Sequence, residues 1–350
     1  MTKYITLLLP LLVAAPFSEA AIPLSDSLSV SGFGSTSVTR TDNAAPLFVH
    51  REIVDDTCFD CDTTFGLQAD WQLSDAFRAS LQVVKRPQDH WSDPEMEWGY
   101  LSYQFGGLNL KGGRLRIPLF LMSEYYYVGQ TYPWARPPQE VYDSILGFTY
   151  FDGISALWLK ELNDEAIVTL SPYYGFERNN TTRLGDETLT FDTNHMAGLS
   201  VELSGFNYRI HFGYMNTQYT LTSDPNPYQE TLNIYTLGAE YSWDGWQLIA
   251  EAQTDKLQSN WYLSGAYTID KFTPYLVYGE SHHRRKSQSL TAGVRYDLTY
   301  TISLNAEWQG VYMARSDYDA LNPGQFTVPS KRLGEDKDAQ LFTLMLSFIF

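Results

Sequence analysis

Asp338-Ala-Gln-Leu-Phe-Thr-Leu-Met-Leu-Ser-Phe-Ile-Phe350 closes the chain, and this stretch decides the fold. Every second residue in it is large and apolar: Phe342, Leu344, Leu346, Phe348 and Phe350. Successive side chains of a β-strand point to opposite faces, so this spacing collects all five on one face. The stretch therefore predicts a strand with one unbroken apolar side.

The same alternation recurs in segments of about ten residues, the length that crosses a bilayer at a tilt of roughly 45°. Apolar and polar residues alternate in the segments 65–73, 77–83, 206–214, 235–243, 246–252, 261–267, 290–296 and 302–310. Beyond the N-terminus, no stretch holds the roughly 18 apolar residues that a spanning helix needs. Strands are therefore the predicted membrane-crossing elements.

The connections between these segments alternate between two kinds. Short turns are predicted near 74–75, 106–107, 163–164, 204–205, 244–245, 270–271 and 297–299. Longer polar connections are predicted near 43–63, 87–94, 118–147, 177–193, 221–231, 255–259, 282–287 and 315–337. This pattern predicts an all-β fold, a transmembrane antiparallel β-barrel of about 16 strands with both termini on the short-turn, periplasmic side. A soluble β-sandwich is the alternative, but it requires neither strands of this length nor two classes of connection.

Residues 1–20 have the features of a secretory signal peptide. Lys3 precedes an apolar run over residues 5–13, and Ser18-Glu19-Ala20 offers a cleavage point before Ala21. A short buried helix or a membrane anchor is the alternative. We therefore expect export, with residues 21–350 forming a single barrel domain.

The cysteines of the chain, Cys58 and Cys61, stand close together in a polar connection. In a cytosolic protein such a CxxC pair is redox-active or half of a zinc site, but no second ligand pair follows here. An exported chain favours a local disulfide instead. Motifs for phosphate binding, catalytic zinc and nucleophilic serine are missing from the sequence, so we predict neither a metal nor a cofactor.

Aromatic residues make up 15% of the chain, and 25 of them are tyrosines. Tyrosine suits an interface where one end of the ring is apolar and the other is wet, and barrels carry aromatic girdles at both membrane surfaces. The net charge of -17 disfavours nucleic acid as a partner. Acidic external connections are typical of surfaces that face lipopolysaccharide, although solvated charge explains them equally well.

The motif Gly112-Gly-Arg-Leu-Arg-Ile-Pro118 is the most distinctive internal one. Its two arginines, Arg114 and Arg116, are two residues apart on one strand and are predicted on the same side. An arginine that faces lipid at mid-depth costs about 2–4 kcal/mol, so the lumen is the predicted side. Inward parity gives further lumen charges at Arg78, Arg209 and Arg295. Pairing with inward acids is the alternative role for each of them.

The connection that follows Pro118 is too aromatic and too rich in proline for an exposed flexible tail. It contains Tyr132-Pro-Trp-Ala-Arg-Pro-Pro138 and extends to Asp143. We expect it to pack on the interior of the barrel, which is the available apolar surface.

This connection is the third long one in order, and it resembles the constriction loop of the Gram-negative outer-membrane porin family. The terminal strand ending on Phe350 likewise resembles the signal read by the outer-membrane assembly machinery. The resemblance covers the strand plan of residues 21–350 and is most specific in the 113–118 and 132–138 motifs. The acidic Pro-Glu-Phe-Gly-Gly motif of general-diffusion porins is missing.

The resemblance implies an inward-folded third loop and a passive channel for small hydrophilic solutes or ions, with no chemical step. It also implies a homotrimer among outer-membrane lipid and lipopolysaccharide.

In that family, acids on the constriction loop face arginines across an eyelet. The matching residues here are Glu124, Glu140 and Asp143 opposite Arg78, Arg114 and Arg116, with Arg136 on the loop itself. A substrate-specific channel for anionic solutes or sugars is an alternative, in which Tyr132 and Trp134 stack on the solute rather than pack on the wall. An outer-membrane enzyme or an adhesin is disfavoured, because no Ser-His or Asp-His motif is recognisable and a barrel this wide leaves a water channel.

Overall fold

The computed structural model describes residues 21–87, 93–145, 149–184, 187–222, 227 and 229–350. The predicted signal peptide, residues 1–20, lies outside the described residues. Helical structure in the described ranges is short: a 3-10 turn (Gly129–Thr131), α1 (Gln139–Tyr142), α2 (Arg315–Asp319) and α3 (Ser330–Leu333). Within these ranges, no helix has the length and apolar character needed to cross a bilayer.

An 18-stranded sheet accounts for most of the rest. Its strands are β1 (Ile22–Pro23), β2 (Leu28–Thr41), β3 (Thr64–Gln72), β4 (Phe77–Lys85), β5 (Glu95–Phe105), β6 (Leu108–Arg116), β7 (Tyr150–Asn163), β8 (Ala166–Gly175), β9 (Arg178–Leu184), β10 (Glu187–Gly205), β11 (Tyr208–Leu221), β12 (Gln229–Trp243), β13 (Trp246–Thr254), β14 (Gln258–Tyr267), β15 (Phe272–His283), β16 (Ser287–Thr299), β17 (Ile302–Tyr312) and β18 (Ala339–Ile349).

The sheet closes on itself because the last strand pairs with β2, with Leu344 opposite Val38. Two of the strands extend neighbouring strands and do not count as separate strands of the barrel wall. The two-residue β1 pairs with β2, and β9 continues the edge of β8 along the same long partner, β10. The remaining 16 strands form a closed antiparallel barrel, so the predicted fold class is confirmed.

The end of the chain completes the seam of the barrel. The amide of Gly32 donates to the carbonyl of Phe350 at 2.9 Å, and the amide of Phe350 donates back to Gly32 at 2.9 Å. A Cβ at position 32 would collide with the Phe350 ring, so the ring can cover this position only while it is glycine. An aromatic ring that covers a glycine on the neighbouring strand helps to fix the register of a curved sheet.

The two faces of the wall follow the alternation of the sequence. Along β18, Phe342 and Leu344 are 61% and 62% exposed, whereas Thr343 and Met345 are 3% and 4% exposed. The exposed apolar residues form the outward face, and the intervening residues point into the barrel. Along β18, residues of one parity therefore face outward, and those of the other parity face the interior.

The predicted turns fall between consecutive strands. At the turn from β12 to β13, Asp244 and Gly245 both have positive φ, at 43° and 82°, as a type I′ hairpin requires. The polar connection predicted over 177–193 is wrong, because β9 and the start of β10 form a hairpin there, with Arg178 opposite Thr193. This hairpin was missed because its alternation is short: Leu189 and Phe191 share one parity, and Phe191 meets Tyr219 on β11, but the residues of β9 are mostly polar.

Two buried apolar clusters connect the long loops to the wall. The first joins residues 117–149, here called the third connection, to inward side chains such as Met215, Ile234 and Ile249. The second joins the first connection, residues 42–63, to the last one, residues 313–338, around Phe48 and Phe326.

Candidate functional site

The third connection lies against the inward face of the strands from β12 to β18. The amide of Leu121 donates to Glu251 on β13 at 2.8 Å, and the indole N–H of Trp134 donates to Ser264 on β14 at 2.8 Å. Asn305 on β17 donates to the carbonyl of Pro133 at 2.7 Å. The third connection therefore contacts one side of the interior over much of its length.

The middle of the third connection reaches the end of the barrel that carries the short turns. Arg295 on β16 donates to the carbonyl of Tyr132 at 2.9 Å and to that of Gly129 at 3.2 Å. The same guanidinium pairs with Asp297 at 2.8 Å, two residues before the strand ends. Arg295 thus points inward, as its parity predicted, and its hydrogen bonds hold the third connection.

The buried carboxylate of Glu251 on β13 anchors both ends of the third connection. Glu251 is 3% exposed and accepts hydrogen bonds from the amide of Leu121, from the Tyr142 hydroxyl at 2.5 Å and from the Tyr262 hydroxyl at 2.7 Å. Leu121 precedes the deep part of the segment and Tyr142 follows it. Glu251, a buried residue of the wall, therefore holds the third connection near both of its ends.

Arg136 joins the third connection to the first connection and to the wall. Its guanidinium donates to Asp62 at 2.8 Å and to Glu307 at 3.3 Å, and all three side chains are almost fully buried. Arg51 also donates to Asp62, at 2.7 Å. Burial alone would raise the pKa of the Asp62 carboxyl, but Arg136 and Arg51 outweigh it and lower this pKa to about 2. Arg136 was predicted as an eyelet residue, but it links the first and third connections through buried ion pairs.

The predicted disulfide is present directly before Asp62. Cys58 and Cys61 are bonded through their sulfur atoms, and their Cα atoms are 5.9 Å apart. The backbone of Cys58 also exchanges hydrogen bonds with Thr39 on β2, at 2.8 and 2.9 Å. The disulfide therefore belongs to the structured part of the first connection.

Tyr132 and Trp134 pack on the wall and present no ring face to a solute. They are 6% and 1% exposed, and their rings stack on each other with centroids 5.7 Å apart. Trp134 also meets Tyr262 edge to face at 5.7 Å. The hypothesis that these two rings stack on a solute is wrong, because burial against β14 leaves them no access to the passage.

Arg114 does not lie in the lumen, so its predicted place in the eyelet is wrong. Along β6 it shares its parity with Leu110, which is 43% exposed on the outward face. Its partner is Asp152, at 3.0 Å, which lies directly opposite on β7. The cost of facing lipid decided the prediction, but that cost falls from about 2–4 kcal/mol at mid-depth to about 0–1 kcal/mol near an interface, so an outward arginine is compatible with the barrel.

The remaining members of the predicted eyelet are only partly brought together. Arg78 points inward and pairs with Asp70 at 2.7 Å, beside the short turn after β3. Arg116 pairs with the buried Glu97. On the third connection, Glu140 is 3% exposed beneath Gly279, whereas Asp143, 7% exposed, lines the same cavity as Arg116.

The structure does bring Glu124 together with basic residues of the opposite wall. Exposed Glu124 lines the same pocket as Arg116, Lys111 and Tyr100. Lys111 has inward parity on β6, between the outward residues Leu110 and Gly112. The sequence analysis missed it because the neighbouring arginines dominated the motif, although the alternation of β6 identifies its side.

The last predicted lumen charge, Arg209, has the expected position. It lies on the inward face of β11 and pairs with Glu240 on β12 at 2.9 Å. Arg209 therefore faces the interior and also pairs with an acid, so the two alternatives for this arginine are compatible.

Comparisons with known proteins agree with this geometry. A family model described as Gram-negative porin matches residues 164–316. The fold is similar to that of OmpF from Salmonella typhi in complex with daunomycin, with a TM-score of 0.65, 10% identity, and coverage of 94% of this chain and 100% of that one. It is also similar to an anion-selective porin from Comamonas acidovorans, with a TM-score of 0.64, 12% identity, and coverage of 93% and 99%. For OmpT of Vibrio cholerae the TM-score is 0.58, at 13% identity, with coverage of 94% and 100%.

No curated protein sequence matches the chain at a significant level. The family model and the barrel fold together support an outer-membrane channel. The resemblance of this chain to the Gram-negative outer-membrane porin family is thereby confirmed.

Proposed function

We propose that this chain is a passive diffusion channel for small hydrophilic solutes and ions, narrowed by the third connection. It works without a chemical step, as a homotrimer in the outer membrane with its termini in the periplasm. The observation that supports this is that most of the third connection packs against β12 to β18, while its Tyr126 and Tyr127 reach across to Arg116 on β6. Inward residues of the opposite wall stay polar and partly accessible: Gln68, Asp70, Lys111, Ser155 and Ser171.

We infer that the constriction lies between Glu124 on the third connection and Lys111 and Arg116 on the wall, because these three side chains line one pocket. Opposed charges of this kind set ion preference through the field that they create across a short gap. The guanidinium of Arg116 is compensated by Glu97, so Lys111 contributes the larger share of positive potential. Selectivity then depends on the balance between Lys111 and Glu124.

Planar bilayer recording tests this proposal. The purified barrel should give stepwise conductance, and in a salt gradient Lys111→Gln should move the reversal potential toward cation preference. Lys271→Gln is the matched control, because it removes the same charge from an exposed short turn. A barrel that never conducts contradicts the proposed channel. Equal shifts for both variants contradict the role given to Lys111.

A substrate-specific channel for anionic solutes or sugars is the second candidate. It is favoured by a cavity at the external mouth, lined by Arg86, Arg116, Tyr126 and Tyr127. Phosphate, dicarboxylates and oligosaccharides should then block the current in a saturable way, and Tyr127→Ala should weaken the block. If these solutes reduce the current only in proportion to the viscosity of the solution, general diffusion is favoured.

A further inference from the structure

Two half-buried aromatic rings, those of Trp98 and Tyr100, face the lumen from β5. Trp98 lies opposite Gln82 and Tyr100 lies opposite Ser80 on β4, and these two partners are only 3% and 4% exposed. Directly opposed residues of two paired strands share a face of the sheet. Both rings therefore belong to the inward wall, on the side of the barrel away from most of the third connection.

The rings line the pocket that also contains Glu124 of the third connection. Its volume is about 650 Å³ including the open mouth. Pockets of roughly 300–1,000 Å³ are typical of small-molecule sites. We call it the lumenal aromatic pocket, and the side chains used below are Trp98, Tyr100, Lys111, Glu124, Ser155 and Ser171.

The indole of Trp98 is held by the wall and leaves its ring to the pocket. Its N–H donates to the Ser80 hydroxyl at 3.2 Å, so the one polar atom of the side chain is already satisfied. Trp98 is partly accessible, unlike the stacked rings of Tyr132 and Trp134 on the third connection. The apolar platform that those two buried rings cannot offer is thus available on β5.

The ammonium group of Lys111 lies beside this platform. Its nitrogen is 5.1 Å from the centroid of the Tyr100 ring, and in the part of the chain that the structure describes it forms no ion pair. Arg116, the other cation of the pocket, is compensated by Glu97. Lys111 therefore offers a positive charge that can take the anionic group of a solute.

Hydroxyl and carboxylate groups complete the rim of the pocket. Ser155 lies directly opposite Lys111 on β7, Ser171 lies on the inward face of β8, and exposed Glu124 lies on the third connection. Hydroxyls both donate and accept hydrogen bonds, whereas a carboxylate accepts only. The pocket thus combines a ring platform, one free cation and several partners for hydroxyl groups.

We propose that the lumenal aromatic pocket binds a sugar acid, a pyranose ring that carries a carboxylate. The apolar C–H face of the ring packs on Trp98, the carboxylate pairs with Lys111, and the ring hydroxyls bond to Ser155, Ser171 and Glu124. This inference narrows the second candidate function to one class of solute, and it rests on the proposed channel because the solute reaches the pocket through the lumen.

The composition of the pocket favours this class over its two simpler relatives. An aromatic acid without hydroxyls would leave the polar rim without partners, and unpaired polar groups weaken binding. A neutral sugar would leave the ammonium of Lys111 without a counter-charge. Only a solute with both features satisfies the platform, the cation and the rim together.

Two trisaccharides of the same length test the proposal: trigalacturonate, which carries carboxylates, and maltotriose, which is neutral. Calorimetric titration of the folded barrel in detergent micelles reports the affinity, and saturable block of the current in planar bilayers reports binding inside the passage. The test variants are Lys111→Gln and Trp98→Ala. The matched controls are Lys271→Gln, at an exposed short turn, and Trp71→Ala, which removes an outward indole that is 52% exposed.

The parent should bind trigalacturonate about tenfold more tightly than maltotriose, because hydrogen bonds to a charged group correspond to at least that factor. Lys111→Gln should remove this difference and leave maltotriose unchanged. Trp98→Ala should weaken both trisaccharides by at least about fivefold, and Trp98→Tyr, which keeps a ring, should restore most of the affinity. Both control variants should bind like the parent.

A compact band in unheated electrophoresis verifies that each variant is folded. If Trp98→Ala does not fold, Trp98→Leu takes its place, because it fills more of the space and still lacks a ring.

Three results would overturn the proposal: equal affinity of the parent for the two trisaccharides, unchanged affinity in a folded Trp98 variant without a ring, and equal weakening by Lys111→Gln and Lys271→Gln. Conductance without saturable block by trigalacturonate would also contradict it and leave the proposed channel intact. Binding of trigalacturonate to a barrel that never conducts would support the pocket and contradict the channel.

Discussion

Removal of the Glu251 carboxylate should free the third connection while leaving the barrel closed. In Glu251→Ala, three buried donors lose their acceptor: the Leu121 amide and the hydroxyls of Tyr142 and Tyr262. Only Leu121 and Tyr142 belong to the third connection. The Leu121 amide and the Tyr142 hydroxyl can donate to water when the third connection leaves the wall, whereas Tyr262 stays on β14.

The size of the effect follows from these two donors. A buried donor without a partner costs about 1–3 kcal/mol, so the packed position of the segment should lose about 2–6 kcal/mol relative to the released one. This corresponds to roughly a 30-fold to 20,000-fold increase in the opening equilibrium. The strands of the wall keep their ladders and should retain their stability.

Amide hydrogen exchange of the folded barrel measures this opening. Peptides that cover 119–122 and 139–145 should exchange faster in Glu251→Ala by the factors given above, and peptides from β3 to β6 should not change. Glu240→Ala is the matched control, since this glutamate is also inward but pairs with Arg209 on the wall. Acceleration of less than about tenfold, or equal acceleration in both variants, would refute the anchoring role of Glu251.

Three further predictions concern the third connection and its neighbours. Trp134→Ala should lower the stability of the folded barrel by about 3–5 kcal/mol, measured from its thermal midpoint. It should not weaken any block of the current by sugars. A weaker block would support the hypothesis that Trp134 stacks on the solute. Burial raises the pKa of the Glu140 carboxyl above 4.5, so its protonated form favours the packed state and this stabilisation is lost as the pH rises through the raised pKa. The thermal midpoint of Glu140→Gln should accordingly vary less between pH 4 and 8 than that of the parent, and parallel curves would count against the assignment. Asp62→Asn should cost about 3–5 kcal/mol at neutral pH, because it leaves Arg136 and Arg51 short of a buried counter-charge. Since the pKa of Asp62 falls from 3.8 to about 2, its contribution is present above 3.8 and lost toward pH 2, so parent and variant stabilities should converge only in that range.

Much of the wall could be predicted because its signals are local. The alternation of Phe342 with Thr343 fixes which face of β18 is apolar, and Asp244-Gly245 specifies a hairpin turn from two residues alone. The hairpin of β9 and β10 could not be predicted in this way. Its apolar alternation is limited to Leu189 and Phe191, next to a mostly polar β9, and so short a pattern does not indicate a strand by itself.

The candidate site was only partly predictable, because its residues depend on contacts between distant segments. Arg209 and Arg295 have the inward position that parity predicts. Arg136, by contrast, is buried between Asp62 and Glu307, and these partners lie 74 and 171 residues away along the chain. No spacing in the sequence reports such a pairing.

By itself, the sequence determined that this chain builds a closed barrel of about 16 strands whose last strand carries an unbroken apolar face. That result depends on the pleat of a strand and on turn geometry, which act over a few residues. Only the tertiary structure decided which partner each charge meets. Arg114 and Lys111 are three residues apart on β6, so alternation alone puts them on opposite faces. Their neighbours, Asp152 for Arg114 and the pocket shared with Glu124 for Lys111, depend on strand register and on the packing of the third connection, and both are set when the sheet closes.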